Sequence, residues 1–214
     1  IISSMHKLML FIKKLYYTSS SYRYVKYLKK GGVNIGIGCL FRAPRSTIID
    51  MTRPYLISIG NNVDMNVNFQ IYTHDWGAHV FIGKYNQLVN SSGKVTIGNN
   101  IYFGANCIVL KGVTIGDNCI IGAGSIVSKS IPANSVAVGN PCRVVCSLEE
   151  YYKKRLNKAP LEAAELVNTF YEKKGRYPLP NELTEEKIYY QLDSTFSEKF
   201  DSFDNFIGWC KQQK

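Results

Sequence analysis

The stretch IGNNIYFGANCIVLKGVTIGDNCIIGAGSIVSKSIP, residues 97–132, decides the fold because it repeats every six residues. A large apolar side chain recurs at Ile97, Phe103, Val109, Ile115, Ile121 and Val127. Glycine follows four of these anchors, as Gly98, Gly104, Gly116 and Gly122. Four residues after each anchor stands a medium or small side chain: Ile101, Cys107, Val113, Cys119, Ser125 and Ile131. A helix needs apolar residues at a period near 3.6 and a two-faced sheet needs 2, so neither accounts for six. The pattern fits a coil of three short flat strands, each turned sharply into the next. Glycine after the anchor suits a corner that demands close approach or unusual dihedrals. The pairs Asn61-Asn62, Asn99-Asn100 and Asp117-Asn118 suit it too, since Asn and Asp tolerate left-handed conformations. About five stacked coils bury a column of aliphatics, which makes a parallel β-helix.

Working outward, the register is already present at Ile59-Gly60, Met65 and Ile71, with Val63 and Phe69 at the second position. A fainter copy runs from Ile37-Gly38 through Phe41, Ala43, Thr47 and Ile49. After Ile71 the next anchor is due near residue 77, yet the register resumes only at Val95-Thr96-Ile97. Residues 77–94 are therefore expected as a loop thrown out of the prism, and long loops on regular scaffolds carry function. The flanks change character. Residues 1–32 form an N-terminal helical segment, with an amphipathic, Tyr/Lys-rich stretch over 5–30 ended by Gly31-Gly32. The β-helix occupies 33–146, and its pattern stops after Pro141. A C-terminal helical extension fills 147–214. One helix starts at Ser147-Glu149-Glu150 and a second covers 160–174, with Pro160 in its first turn. Short helices follow over 184–192 and 196–213, the last with an aromatic face of Phe203, Phe206 and Trp209.

The composition agrees with one cored domain plus a helical appendage. The chain has 214 residues, 45% hydrophobic and only 20% charged, which excludes a disordered chain and a polytopic membrane protein. The net charge of +10 reads as an excess spread along the chain. It favours acidic partners: nucleic acid, anionic lipid, or phosphorylated small molecules such as coenzyme A. No nucleic-acid recognition motif accompanies it, so nucleic acid is not expected. The six cysteines contain no CxxC pair, and Cys107 and Cys119 sit at inward positions where packing is their expected role. The apolar run Leu8–Ile12 is too short for a signal or spanning segment, so a soluble cytoplasmic protein is expected.

Just before the break stands Ile71-Tyr72-Thr73-His74-Asp75-Trp76. Where a coil opens outward, the imidazole of His74 is free to face a substrate, and its ordinary pKa near 6.5 suits a general base. His79 lies five residues on, but a zinc site of this kind needs a third histidine, and the remaining one is His6, outside the prism. No metal is expected. Asp75 is a candidate to orient the turn or the imidazole. Tyr72 and Trp76 either stack on a sugar ring or pack the loop base.

The segment GNNIYFGANCIVLKGVTIGDNCIIGAGSIVSKSIPANSVAVGNPCRVV (98–145) resembles the C-terminal coils of hexapeptide-repeat acyltransferases. Its nearest likeness is to the galactoside and maltose acetyltransferase branch and to sugar O-acetyltransferases from polysaccharide clusters. IDMTRPYLISIGNNVDMNVNFQIYTHDW (49–76) is similar to the second group. The resemblance implies a left-handed parallel β-helix that assembles as a homotrimer, with acetyl-CoA between neighbouring subunits. By position it implies His74 as catalytic base. It also implies Ala105, Ala123, Ser128, Lys129 and Arg143 as coenzyme contacts, with Lys111 a looser one. The galactoside enzymes' substrate aspartate aligns with Asp50, a candidate acceptor contact. Where their substrate asparagine belongs, this chain reads Phe41-Arg42-Ala43-Pro44-Arg45, and Cys146 stands where a basic residue is common. A galactoside acceptor is therefore not expected.

The expected function is acetyl-CoA-dependent O-acetylation of a saccharide in a surface polysaccharide or its precursor. Two alternatives stay open: acylation of another acceptor, such as an amino sugar amine or an antibiotic, and a non-catalytic β-helix that binds or scaffolds. A membrane role for the N-terminal helix is weighed against packing on the prism or trimer, and packing is favoured.

Overall fold

The structure is a computed structural model. It describes residues 2–183, 185, 189, 190 and 200–213, and the side chains of these except 2–7 and 10. It divides into two compact units, Ile1–Glu150 and Tyr151–Lys214.

The first unit is a three-sided coil of parallel strands. One face holds Asn34–Ile35, Ile57–Ile59, Val95–Ile97 and Thr114–Ile115, and Ile131 is bridged to Ile115. A second face holds Leu40–Phe41, Val63–Met65, Ile101–Phe103, Cys119–Ile121 and Ser135–Val138. The third holds Ile48–Ile49, Gln70–Ile71, Ile108–Val109 and Ile126–Val127. Every anchor and every second-position residue read from 97–132 is buried. Phe69 and Phe103 pack inside the prism with ring centroids 4.7 Å apart. Cys107 and Cys119 lie fully inside and donate to the carbonyls of Gly122 and Pro132, both at 3.2 Å. All six cysteines are free thiols.

The corners explain the Asn pairs. Asn62, Asn100, Asn118 and Asn134 all adopt positive φ, between 53° and 57°. Their amides form a ladder up one corner: Asn62 donates to Asn100, Asn100 to Asn118 and Asn118 to Asn134, at 2.9–3.0 Å. Coils stack so closely that a Cβ at Gly104 would sit 2.4 Å from the Ala123 nitrogen. Asn118→Ala is expected to cost about 1–2 kcal/mol, because alanine dislikes the left-handed region and both ladder bonds go. Asn118→Gly should recover the conformational part, and urea titration of the pair measures the difference.

Several expectations are corrected. In the first coil the buried anchor is Ile35, paired with Ile59, whereas Ile37 is exposed. The Ile-Gly-Ile-Gly run offers two registers, and the stack against Gly60 selects Gly36, whose missing Cβ leaves room for the Gly60 carbonyl. The N-terminal stretch is two helices, α1 (Ile2–Tyr17) and α2 (Ser21–Lys30), because Ser20 turns extended and caps α2 by accepting from Arg23 N. Residues 77–94 contain a helix, α3 (Ala78–Tyr85), in the connection between the two strands of a short ribbon, His74–Asp75 antiparallel to Ser91–Ser92. β structure continues past Pro141, since Arg143–Ser147 turns back antiparallel onto Ser135–Val138 and closes that edge.

Ser147 and Glu150 then form a capping box: Ser147 Oγ accepts from Glu150 N, and the Glu150 carboxylate accepts from Ser147 N. The helix they start, α4 (Leu148–Lys174), runs through Pro160 rather than breaking there. Proline forfeits one backbone bond, and long flanking helical turns on both sides carry the segment across it. In the second unit Ala163, Ala164 and Val167 of α4 pack with Tyr190 and Phe206, the latter from α5 (Phe203–Gln212). Phe203 and Trp209 border that core, as the aromatic pattern predicts. The short helix expected over 184–192 lies largely outside the described residues.

Candidate active site

The third face and its two edges carry the candidate residues. Along one edge the chain leaves each strand of this face in turn at Asp50, Tyr72, Leu110 and Ser128. The backbone ladder links these corners coil by coil. Asp50 N donates to Ile71 O, Tyr72 N to Val109 O, and Leu110 N to Val127 O, at 3.0 Å each.

At the second of these corners the coil opens. Thr73 O accepts from Gly93 N at 2.9 Å, which closes the neck of the excursion. Gly93 has no alternative, since a Cβ there would meet the Gly112 nitrogen at 2.7 Å. Thr73 is fully buried, and the chain reverses out at His74, whose ring is about one-third exposed (32%). His74 Nδ1 lies 2.7 Å from Asp50 Oδ2. Asp50 is buried (side chain 4% exposed) and comes from the preceding coil.

Both Asp50 oxygens are occupied. Oδ1 accepts from Thr52 N at 3.0 Å and Thr52 Oγ1 at 2.6 Å; Oδ2 accepts from Thr73 N at 3.1 Å and also from the Thr73 hydroxyl. Burial pushes this carboxyl up, but the hydrogen bonds from Thr52, Thr73 and His74 together outweigh it and hold it well below the usual carboxylate range. An ionised carboxylate accepts only, so the bond to His74 fixes the proton on Nδ1 and leaves Nε2 as the basic nitrogen. Asp50 thus lies behind the imidazole, with both carboxylate oxygens engaged by Thr52, Thr73 and His74. A carboxylate 24 residues from the histidine gives no local sign of this pairing.

Asp75 serves the turn and not the imidazole. It accepts from Gly77 N at 2.9 Å and pairs with Lys111, so Lys111 is already engaged at this edge. Tyr72 donates its hydroxyl to Gln70 at 2.7 Å, and Trp76 is exposed. His79 is exposed in α3. Among the described residues no group of three or more His, Cys, Asp or Glu stands close enough to hold a metal ion.

The expected coenzyme residues divide between the two edges of this face. Ser128 and Lys129 lie exposed on the His74 edge, two coils further along, about 10 Å at ordinary strand spacing. Ala105 and Ala123 stack on the opposite edge, where Ala105 O accepts from Gly124 N at 2.8 Å. Arg143 is exposed at the far end, following Cys142, whose N–H donates to Ile126 O at 2.9 Å. A cleft of about 620 Å³ lies elsewhere, between α1, α2 and residues 44–51, and does not include His74.

A prism of hexapeptide coils whose excursion carries at its neck a buried carboxylate bonded to a partly exposed imidazole presents a pair chemically suited to proton transfer. The comparisons make the class specific. The family profile described as "Hexapeptide repeat of succinyl-transferase" matches residues 94–129. Protein CapG of Staphylococcus aureus is 44% identical over 133 residues, 62% of this chain and 76% of that protein. Galactoside O-acetyltransferase of Escherichia coli K12 is 38% identical over 128 residues, 58% of this chain and 61% of that one. A solved maltose O-acetyltransferase from Clostridium difficile 630 is 29% identical, covering 63% of this chain and 82% of its own, with a TM-score of 0.43. The chain belongs to the hexapeptide-repeat acetyltransferases.

Proposed function

We propose that this protein transfers the acetyl group of acetyl-CoA to a hydroxyl of a saccharide belonging to a surface polysaccharide or its precursor. The observation that carries the reading is the buried, ionised Asp50 holding Nδ1 of a partly exposed His74 at 2.7 Å. His74 Nε2 takes the proton of the attacking hydroxyl as its oxygen bonds to the thioester carbonyl carbon. The tetrahedral intermediate collapses with loss of the C–S bond, and the imidazolium returns the proton to the departing thiolate. The products are an acetyl ester and free CoA. No acyl-enzyme is needed, which suits thiols such as Cys107 and Cys119 that burial pushes above their ordinary pKa.

The donor is placed along the third face, with the pantetheine arm passing Ala105 and Ala123 and the phosphates met by Ser128, Lys129 and Arg143. Family membership supports this, as it supports a left-handed coil and a trimer whose neighbouring subunit completes the groove. The exposed apolar side chains of Trp76, Val80, Phe81, Ile82 and Tyr85 on the excursion suit cover by such a neighbour.

Chromatographic detection of CoA from acetyl-CoA plus hexosides, amino sugars and nucleotide sugars tests the reading. Acceptor-dependent release with a base-labile ester is expected. A base-stable amide moves the acceptor to an amine. Absence of release together with absence of calorimetric acetyl-CoA binding overturns the proposal. Lys129→Ala and Arg143→Ala are each expected to raise KM for acetyl-CoA about tenfold and leave kcat within about twofold. Unchanged KM in both removes them from the phosphate site.

A further inference from the structure

The positive charge is not spread along the chain, as the overall balance suggests. Residues 1–49 carry nine Lys or Arg and not one Asp or Glu, the first acid being Asp50. Residues 50–214 carry 17 basic and 16 acidic residues, so nearly the whole net charge of +10 belongs to the N-terminal segment.

That segment also displays its apolar side. On α1, Leu8, Phe11, Ile12, Leu15 and Tyr16 follow the spacing i, i+3, i+4, i+7, i+8 of a single helical stripe. In a soluble domain such a stripe faces the core. Here its members are 42–58% exposed, while Lys13, Lys14 and Tyr17 line the cleft against residues 44–49. Tyr22, near the start of α2, is 76% exposed, and Arg23, Lys26, Lys29 and Lys30 follow it. None of the described helices is long and apolar enough to cross a membrane.

An outward apolar stripe bordered by cations, with no anion among them, matches a helix lying in the interface of an anionic bilayer. A second copy of this chain is a poorer occupant. A twofold contact through this face would set cations against cations with no carboxylate to meet them. We infer that α1 and α2 dock the protein on an anionic membrane surface. Phe11 and Ile12 enter the acyl boundary, and Lys13, Lys14 and the basic residues of α2 meet lipid phosphates. This surface is independent of the acyl-transfer reading.

The test is flotation of the full chain with phosphatidylcholine vesicles, with and without about 30% phosphatidylglycerol. Partitioning onto the anionic vesicles is expected to exceed that onto the neutral ones at least about tenfold at low salt, and to drop severalfold near 0.5 M salt. Phe11→Ser with Ile12→Ser should lower it about tenfold at either salt. Lys13→Gln with Lys14→Gln should reduce the anionic preference and leave weak neutral binding unchanged. All four positions are solvent-facing or cleft-lining, and thermal melts check that each variant is folded. Equal partitioning onto both vesicles, or a Ser variant that binds like the wild type, overturns the inference. So does a wild type that ignores vesicles while the Ser variant changes mass by light scattering, which would make the face a protein interface.

Discussion

His74→Ala is expected to lower kcat for acceptor-dependent CoA release by about 10³-fold while KM for acetyl-CoA changes less than about threefold. A sugar hydroxyl is a weak nucleophile, and the step that attacks the thioester gains most from removal of its proton. General-base catalysis of this kind contributes about 10²–10⁴-fold. The loss should fall on kcat because the proposed role of the imidazole is at the reacting hydroxyl and not at the nucleotide end of the donor. The fold should survive, since Asp50 keeps four other donors, two from Thr52 and two from Thr73. Chromatographic CoA assays of both proteins, with circular dichroism melts, separate the two effects. Equal release would remove His74 from the reaction.

The period of six was readable because every coil demands the same inward anchor, and a column of them leaves a pattern that helices and flat sheets do not. The break after Ile71 was readable for the same reason, and it drew attention to His74. What escaped the sequence depends on stacking between coils. Ile35 and Ile37 both precede glycine, and only the position of Gly60 in the next coil decides between them. The partnership of Asp50 and His74 is likewise a contact between adjacent coils, so a reading along the chain sees a carboxylate in one motif and a base in another. The orientation of α1 escaped too. An amphipathic pattern says that a helix has an apolar face, but not whether the body of the protein or the outside receives it. The helix α3 within 77–94 lacked a readable start because no Ser, Thr, Asp or Asn side chain caps it.

Asp50→Asn is the sharper test of how the site is organised, with kcat expected to fall about 10²-fold at little change in KM for either substrate. Asparagine keeps the shape but brings an NH₂ group into a nest of donors. Turned toward Thr73 and His74, that group opposes the Thr73 N–H and offers a proton to Nδ1. The imidazole then carries its own proton on Nε2, where it no longer serves as a base. Turned the other way, it faces the Thr52 N–H. Stability should follow pH in a definite sense. The folded-state carboxyl titrates below the unfolded one, so its hydrogen bonds stabilise the fold above the ordinary carboxylate range, and that contribution is lost as pH falls beneath it. The difference in Tm between wild type and Asp50→Asn should be widest near neutral pH and close in acid. A merely structural Asp50 would reproduce the Tm difference yet leave kcat and its pH profile unchanged in the folded variant, and that outcome would remove Asp50 as the residue that positions His74.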